Sequence, residues 1–480
     1  MTSQCAIVTV TKPYLRLRWS RMSYTRRLLI GAALAGTTSI ATKKTVPSTA
    51  QANGTGWTAV RKEARARARQ AGEGRLRVGV IGAGAAGADT IQRLVSRERS
   101  QKDVEVAAVS DVYQPRLERA TALAQLDSRN AHADYAHMLS RKDVDAVVIA
   151  TPSHWHFRMA VDAMSAGKDV FLEPPMALTI EEAQQVQQAA SSLKRVVQVN
   201  VPELQDPRYH QVRELIAEGA IGQVVSVQSS YSTNAVDGEW NDYVEEEASL
   251  QTVNWDLWQG PAVKRPFSSE RFFRWRKYWD YSGGPATELL FYRLAPLMAA
   301  IGPQWPVRVS ASGGIFIHKD REVPDTYSSI IEYPQFQVNL MATTATAGPN
   351  KFLGEVIYGN TGTIVVNAKS VQLHAEPIWE AKMPESKRGV HAFEIQPTAD
   401  LFQEHFSDFL DAVRARRQPM AGVDFSLQVT APILLGMDSY RQGRMDNYDW
   451  RARRLADRPA PRIGYEGNGR NNPEGRKRRA

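Results

Sequence analysis

The chain has 480 residues, enough for two domains of ordinary size, and its 43% hydrophobic and 23% charged content is that of an ordinary globular protein. The formal net charge of +9 misleads as a single number, because residues 1–52 and 451–480 are strongly basic and residues 53–450 are left mildly acidic. That distribution argues against a nucleic-acid partner, which needs a basic face on the folded body, and the lone cysteine, Cys5, excludes a disulfide framework and a thiolate metal site.

In chain order, Thr25-Arg26-Arg27-Leu28-Leu29 opens an apolar stretch that ends near Ala41, too short for a membrane span. Lys43 and Lys44 follow, then Ala50-Gln51-Ala52, an A-x-A cleavage site. This pattern predicts a twin-arginine signal peptide over residues 1–52, with an ordinary secretory signal as the alternative and Met22 as a second candidate start. The mature protein is then expected to be periplasmic or secreted, with no stable membrane anchor after cleavage. Residues 53–74 read as a polar, basic linker.

From 75 to 198, short β-branched runs at 77–81, 104–110, 146–150, 169–172 and 196–199 alternate with helical periods, the mark of βαβ units in a parallel sheet. A helix is predicted over 207–218. Strands then follow one another at 224–231, 307–312, 327–333, 337–344, 355–358 and 363–367 with no long helix between them, and Asn360-Thr361-Gly362 turns between the last two. Helices return at 399–415 and 426–442. The fold class is therefore an α/β Rossmann domain over 75–198, followed over 199–450 by an α+β domain with a large, mostly antiparallel open sheet. Residues 451–480, rich in Pro, Gly, Asn and Arg, read as a disordered tail.

The first strand runs at once into Gly82-Ala83-Gly84-Ala85-Ala86-Gly87, and a helical period follows with Ile91, Leu94 and Val95 on one side. A G-x-G-x-x-G between strand and helix is the context of a dinucleotide fingerprint: tight turn, close approach of backbone to pyrophosphate, and close helix–strand packing. Asp111 closes the second strand, where a carboxylate accepts the ribose hydroxyls of NAD and repels the 2′-phosphate of NADP. NAD is the expected cofactor. Arg116 lies close enough to keep NADP as the alternative.

Further motifs are Thr151-Pro152-Ser153-His154-Trp155-His156 after the fourth strand, Gly167-Lys168-Asp169-Val170-Phe171-Leu172-Glu173-Pro174-Pro175, Asn254-Trp255-Asp256-Leu257-Trp258-Gln259-Gly260-Pro261, and Trp279-Asp280-Tyr281-Ser282-Gly283-Gly284. Together with the glycine turn, the sequence resembles the Gfo/Idh/MocA oxidoreductases over nearly all of 75–450. The resemblance implies hydride transfer between NAD(P) and a sugar, polyol or similar hydroxyl compound. It implies a second-domain sheet that borders the active site and pairs between subunits, making a homo-oligomer. Thr151, Pro152, His156 and Glu173 would then join the glycine turn at the cofactor. His154 and His156 lack a third ligand at fitting spacing, so no metal is expected.

Two motifs depart from the family pattern. Its Glu-Lys-Pro reads Glu173-Pro174-Pro175, and Pro174 has no group that handles a proton. Its Asp-x-Gly-x-His-x-x-Asp reads Glu288-Leu289-Leu290-Phe291-Tyr292-Arg293-Leu294-Ala295, which puts Tyr292 at the base position, Glu288 at the first acid and Ala295 at the last. A phenol with an ordinary pKa of about 10 suits proton donation and needs a nearby cation to act as a base, for which Lys277 or Arg293 are the candidates. Asn200 after the last Rossmann strand, Trp275 in the aromatic stretch 255–281, and Arg293 are the candidate substrate contacts. The expected function is an exported NAD(P)-dependent oxidoreductase. The alternative is a member that binds NAD or sugar without turnover, motivated by Pro174 and Ala295; an NAD-dependent glycosidase is a third reading.

Overall fold

The protein is described from a computed structural model, which covers residues 74–456 apart from 349–353, 383, 386, 387, 397 and 450. The expected signal peptide over 1–52, nearly all of the expected linker and residues 457–480 lie outside the described residues.

The first sheet holds six parallel strands in the order β3-β2-β1-β4-β5-β6. They are β1 (Leu76–Ile81), β2 (Val104–Ser110), β3 (Ala131–His132), β4 (Ala146–Ile149), β5 (Asp169–Leu172) and β6 (Val197–Val199). Every residue of β4, β5 and β6 is buried, as strands covered by helices on both faces require. The longer helices are α1 (Ala85–Gln101), α2 (Gln114–Leu123), α3 (His156–Ser165) and α4 (Ile180–Leu193). The strand order reverses between β1 and β4, which opens a crevice at their C-terminal ends.

After α5 (Pro207–Ala217) comes a ten-stranded sheet in the order β14-β13-β12-β11-β7-β10-β9-β8-β15-β16. Its strands are β7 (Val224–Ser232), β8 (Arg308–Gly314), β9 (Thr326–Glu332), β10 (Gln337–Thr343), β11 (Glu355–Gly359), β12 (Gly362–Val366), β13 (Ser370–Ala375), β14 (Val390–Glu394), β15 (Asp446–Asp449) and β16 (Arg454–Leu455). Burial alternates along β9, β10 and β11, so one face meets the core and the other does not. The pairs are antiparallel except β7 with β10.

Three features depart from the sequence-based expectation. A buried helix, α6 (Phe291–Ile301), stands between β7 and β8 where no long helix is predicted, and a π-turn at Ala286–Leu290 leads into it. Pro296 lies inside it and reads as a helix breaker, which hides the helix in the sequence. The edge strands β13 to β16 extend the sheet beyond the predicted set. Finally, α7 (Leu401–Ala415), assigned by sequence to the second domain, packs on the first sheet: Phe402, Phe406 and Phe409 surround Phe171 of β5 at centroid distances of 6.0, 5.1 and 5.4 Å. The last long helix, α8 (Val423–Gln442), packs between α4 and β8 and joins the two sheets through one continuous core.

Candidate active site

The glycine turn is built by close approach. Gly82 has φ +88°, and a Cβ there would lie 2.5 Å from the Ala150 carbonyl oxygen. A Cβ on Gly87 would lie 1.8 Å from the Gly82 carbonyl oxygen, so α1 touches the turn directly. A Cβ on Gly84 would meet only Arg116 Nη1 at 3.7 Å, so at Gly84 the backbone faces open space. Gly84 caps α1 without a side-chain hydrogen bond and no acid stands in the first turn, which leaves the helix amides for an anionic group. These residues fit a dinucleotide pyrophosphate.

Asp111 is buried, and it is tied to the protein's own backbone: Ala83 N donates to Oδ2 at 2.6 Å and Tyr113 N donates to Oδ1 at 2.8 Å. Burial raises its pKa, while Arg116 and the two amides pull it down. Each carboxylate oxygen keeps a second lone pair for a ribose hydroxyl. Arg116 stacks its guanidinium against Phe273, Phe272 and Tyr113 at 4.9, 5.1 and 5.7 Å from the ring centroids.

From this turn a cavity of about 1980 Å³ runs along the crevice, lined by Gly82 to Ala86, Asp111, Thr151, Pro152, His156, Glu173, Trp275, Arg276, Glu288 and Tyr292. That exceeds an ordinary small-molecule pocket of roughly 300–1,000 Å³ and leaves room for a dinucleotide with a second molecule beside it. His156 is buried; Nδ1 faces the Pro175 carbonyl oxygen at 2.7 Å and Nε2 the Thr151 carbonyl oxygen at 2.9 Å. Burial lowers its pKa while the two carbonyls oppose that shift, and the ring sits between the β4 loop and the Glu173-Pro174-Pro175 loop. His154 is packed away from the glycine turn, against Trp258 and Tyr281, and burial pushes its pKa down to about 4.

At the far end, Tyr292 Oη donates to Glu173 Oε2 at 3.5 Å, and Asn200 Nδ2 donates to Glu173 Oε1 at 2.7 Å. Burial pushes the Glu173 carboxyl up to about 7, against the opposing pull of Asn200, Arg276 and Tyr292. Glu288, on the π-turn, accepts from Arg276 Nε at 3.0 Å, Ser153 Oγ at 3.0 Å, Ser282 Oγ at 3.1 Å and Thr287 Oγ1 at 3.2 Å. Such a saturated carboxylate holds the loops in place, and it aims Arg276 along the cavity wall beside Trp275, whose ring lies 4.2 Å away.

The crevice thus gathers the glycine turn, Asp111, Thr151, Pro152, His156, Glu173, Trp275, Glu288 and Tyr292, with Asn200 behind Glu173. Two expected residues are elsewhere. Lys277 is fully buried and its ammonium donates to Glu270, Asp320 and Asn241 at 2.7, 2.8 and 2.9 Å, which uses all three N–H groups. Arg293 does not line the cavity; it faces Glu355 at 3.9 Å and the ring of Tyr231 at 5.6 Å, because one helical step from Tyr292 turns it by about 100°. The cation beside the Glu288 end of the cavity is Arg276, one position before Lys277, which sequence reasoning missed along with Ser153; only the adjacency to Trp275 hinted at it.

Comparison with known proteins agrees with this architecture. Residues 76–201 match a family model described as the oxidoreductase family, NAD-binding Rossmann fold, and residues 213–447 match its C-terminal alpha/beta domain. An inositol 2-dehydrogenase of Salmonella paratyphi B is 32% identical over 157 residues, 32% of this chain and 46% of that protein. A glycosyl hydrolase family 109 protein of Shewanella baltica is 32% identical over 167 residues, 32% of this chain and 35% of that protein. The match therefore spans less than half the length of these relatives. Among solved structures, a levoglucosan dehydrogenase in complex with NADH and levoglucosan aligns with TM-score 0.59 at 18% identity, over 78% of this chain and 99% of that one, a likeness of fold. With both family models matched along most of its described length, the chain belongs to the Gfo/Idh/MocA oxidoreductase family, and its first domain is that family's NAD-binding Rossmann fold.

Proposed function

We propose that the protein is an NAD-dependent oxidoreductase acting on a hydroxyl or carbonyl group of a sugar, polyol or related small molecule. The observation that carries this reading is continuity: one cavity joins the glycine turn to the Glu173–Tyr292 pair and the Trp275–Arg276 wall. When bound, NAD supplies the site for hydride exchange. The glycine turn and the α1 amides would hold its pyrophosphate and Asp111 its ribose. Trp275 offers a face for a sugar ring, and Arg276 offers donors to its oxygens. Tyr292 is the proton-handling group at the reacting oxygen. The relatives named inositol 2-dehydrogenase and levoglucosan dehydrogenase support a carbohydrate-like substrate.

We propose in addition that the protein is exported folded through the twin-arginine route, with cofactor loaded before export; residues 1–52 support this. The test of function is to purify the protein from cytoplasm, release and identify bound nucleotide, and follow nicotinamide absorbance across a panel of sugars and polyols. Bound NAD with substrate-dependent reduction is the expected result. Bound NAD that no substrate changes would make the protein a binding module, and absence of NAD would refute the cofactor assignment at this site.

A further inference from the structure

Pro174 stands where the family pattern has a lysine and handles no proton, which leaves Tyr292 at the base position without that lysine's help. The same loop nevertheless brings a carboxylate to the phenol. Glu173 follows β5, lines the cavity, and lies within 3.5 Å of Tyr292 Oη on α6. Its other oxygen is fixed by Asn200 at 2.7 Å, and Asn200 is itself buried, with its Oδ1 unpartnered. The carboxylate is thus held in one orientation, with one oxygen turned to the phenol.

We propose that Glu173 takes over the lost lysine's part by accepting the proton of the reacting hydroxyl through Tyr292; this rests on the oxidoreductase reading above. In alcohol oxidation the carbinol C–H bond breaks and its hydrogen leaves with both electrons to the oxidised dinucleotide. The O–H proton passes to Tyr292 Oη as the phenol's own proton passes to Glu173 Oε2. Products are the carbonyl compound, the reduced dinucleotide and a protonated Glu173, which then loses its proton to water. Glu173 acts through Tyr292 and is a positioning residue and proton store, not a group that touches substrate.

The surroundings suit this task. The charged and titratable groups facing Glu173 are Tyr292 on α6, Arg276 on the turn before the π-turn, Asp89 on α1 and Glu203 after β6. Burial sets the carboxyl near 7 while Arg276, Asn200 and Tyr292 keep it from rising further and Asp89 adds to the rise. A proton acceptor poised near neutrality is what general base catalysis favours. The sign follows: oxidation needs the ionised carboxylate, so kcat/KM for oxidation rises with pH through about 7, and carbonyl reduction shows the opposite trend.

The test has two arms. Infrared difference spectroscopy on protein without substrate follows the protonated Glu173 carbonyl band, identified by its loss in E173Q; it is expected to titrate near 7 and to move upward in Y292F, which removes a donor to the charged form. Kinetics on the active substrate then compare wild type, E173Q and E173D. E173Q is expected to lower kcat about 100-fold with KM and NADH affinity within about threefold, and to erase the acid limb, with E173D restoring part of both. A carboxyl that titrates in the ordinary range and ignores Y292F overturns the relay, as does an E173Q that keeps its acid limb and kcat. Loss of NADH affinity in place of kcat makes Glu173 a cofactor ligand and also overturns it. Turnover with an unmoved titration refutes the relay alone; no turnover on any substrate refutes the oxidoreductase reading, and the relay with it.

Discussion

At the scale of single residues, the three glycines of the turn do different work, and substitution separates them. Gly87 is dictated by packing, because an added methyl group would run into the Gly82 carbonyl at 1.8 Å, a backbone atom that has no rotamer to give. Gly84 faces open space and has an extended conformation that alanine adopts freely. Gly87→Ala is expected to destabilise the protein by about 3 kcal/mol, the upper end of overpacking, and to abolish NADH binding. Gly84→Ala should cost no more than about 1 kcal/mol, the ordinary penalty of alanine at a helix N-cap. It should still weaken NADH at least tenfold, because the methyl enters the space assigned to pyrophosphate. Thermal melts and fluorescence titration of NADH check both; equal loss of stability in the two variants would contradict the assignment.

At the scale of elements, residues 241–273 run from the second domain across the mouth of the crevice. Asn241 to Tyr243, Glu245, Leu257, Trp258, Phe272 and Phe273 all line the cavity beside the first domain's Asp111 and Arg116. The segment is fastened to the loop after β2 and to α2: Tyr113 Oη donates to Glu245 at 3.1 Å, Arg119 donates to Glu245 at 2.8 Å, and Gln114 N and Asn254 N donate to the Thr252 and Val112 carbonyls at 2.9 Å. A dinucleotide lying along the crevice would be roofed by this strap, and its release requires the strap to loosen. Glu245→Ala is expected to speed NADH dissociation about tenfold, equal to about 1.4 kcal/mol, with little change in the catalytic step. Stopped-flow displacement measures this, and an unchanged off-rate would show that the strap does not gate the cofactor. Slow exchange suits the proposed export, because cofactor loaded in the cytoplasm would then travel with the protein.

At the scale of the whole molecule, the chain crosses between its two sheets more than once. α7 returns from beyond the second sheet to cover the first, placing Phe402, Phe406 and Phe409 around Phe171, and His405 Nε2 faces Val201 N at 3.0 Å and the Val199 carbonyl at 3.0 Å. Phe406→Ala is expected to cost about 3–5 kcal/mol, the loss for a fully buried phenylalanine, and to lower NADH affinity although the residue does not line the crevice. A fragment ending near residue 200 should fail to fold cooperatively, since the Phe171 face would be bare to water; a cooperative melt of that fragment, followed by circular dichroism, would contradict this.

What was legible in the residues alone was what short-range physics decides. Five of the six strands of the first sheet announce themselves as brief β-branched runs between helical periods, while the two-residue β3 carries no such signal, and Gly82 to Gly87 announce the crevice because turn, amides and helix start are consecutive in the chain. α6 was hidden because Pro296 lies inside it and reads as a helix breaker. The proton-handling end of the cavity was only half legible: Tyr292 and Glu288 sit in a motif, but Ser153 reaches Glu288 across 135 positions and Tyr292 reaches Glu173 across 119. Which cation borders this end of the cavity turned on a single step of backbone: at 276 the side chain faces the crevice, and at 277 it is sealed among three acceptors. Spacing along the chain carries no record of such choices, because they are made by how the two sheets and their connecting helices pack.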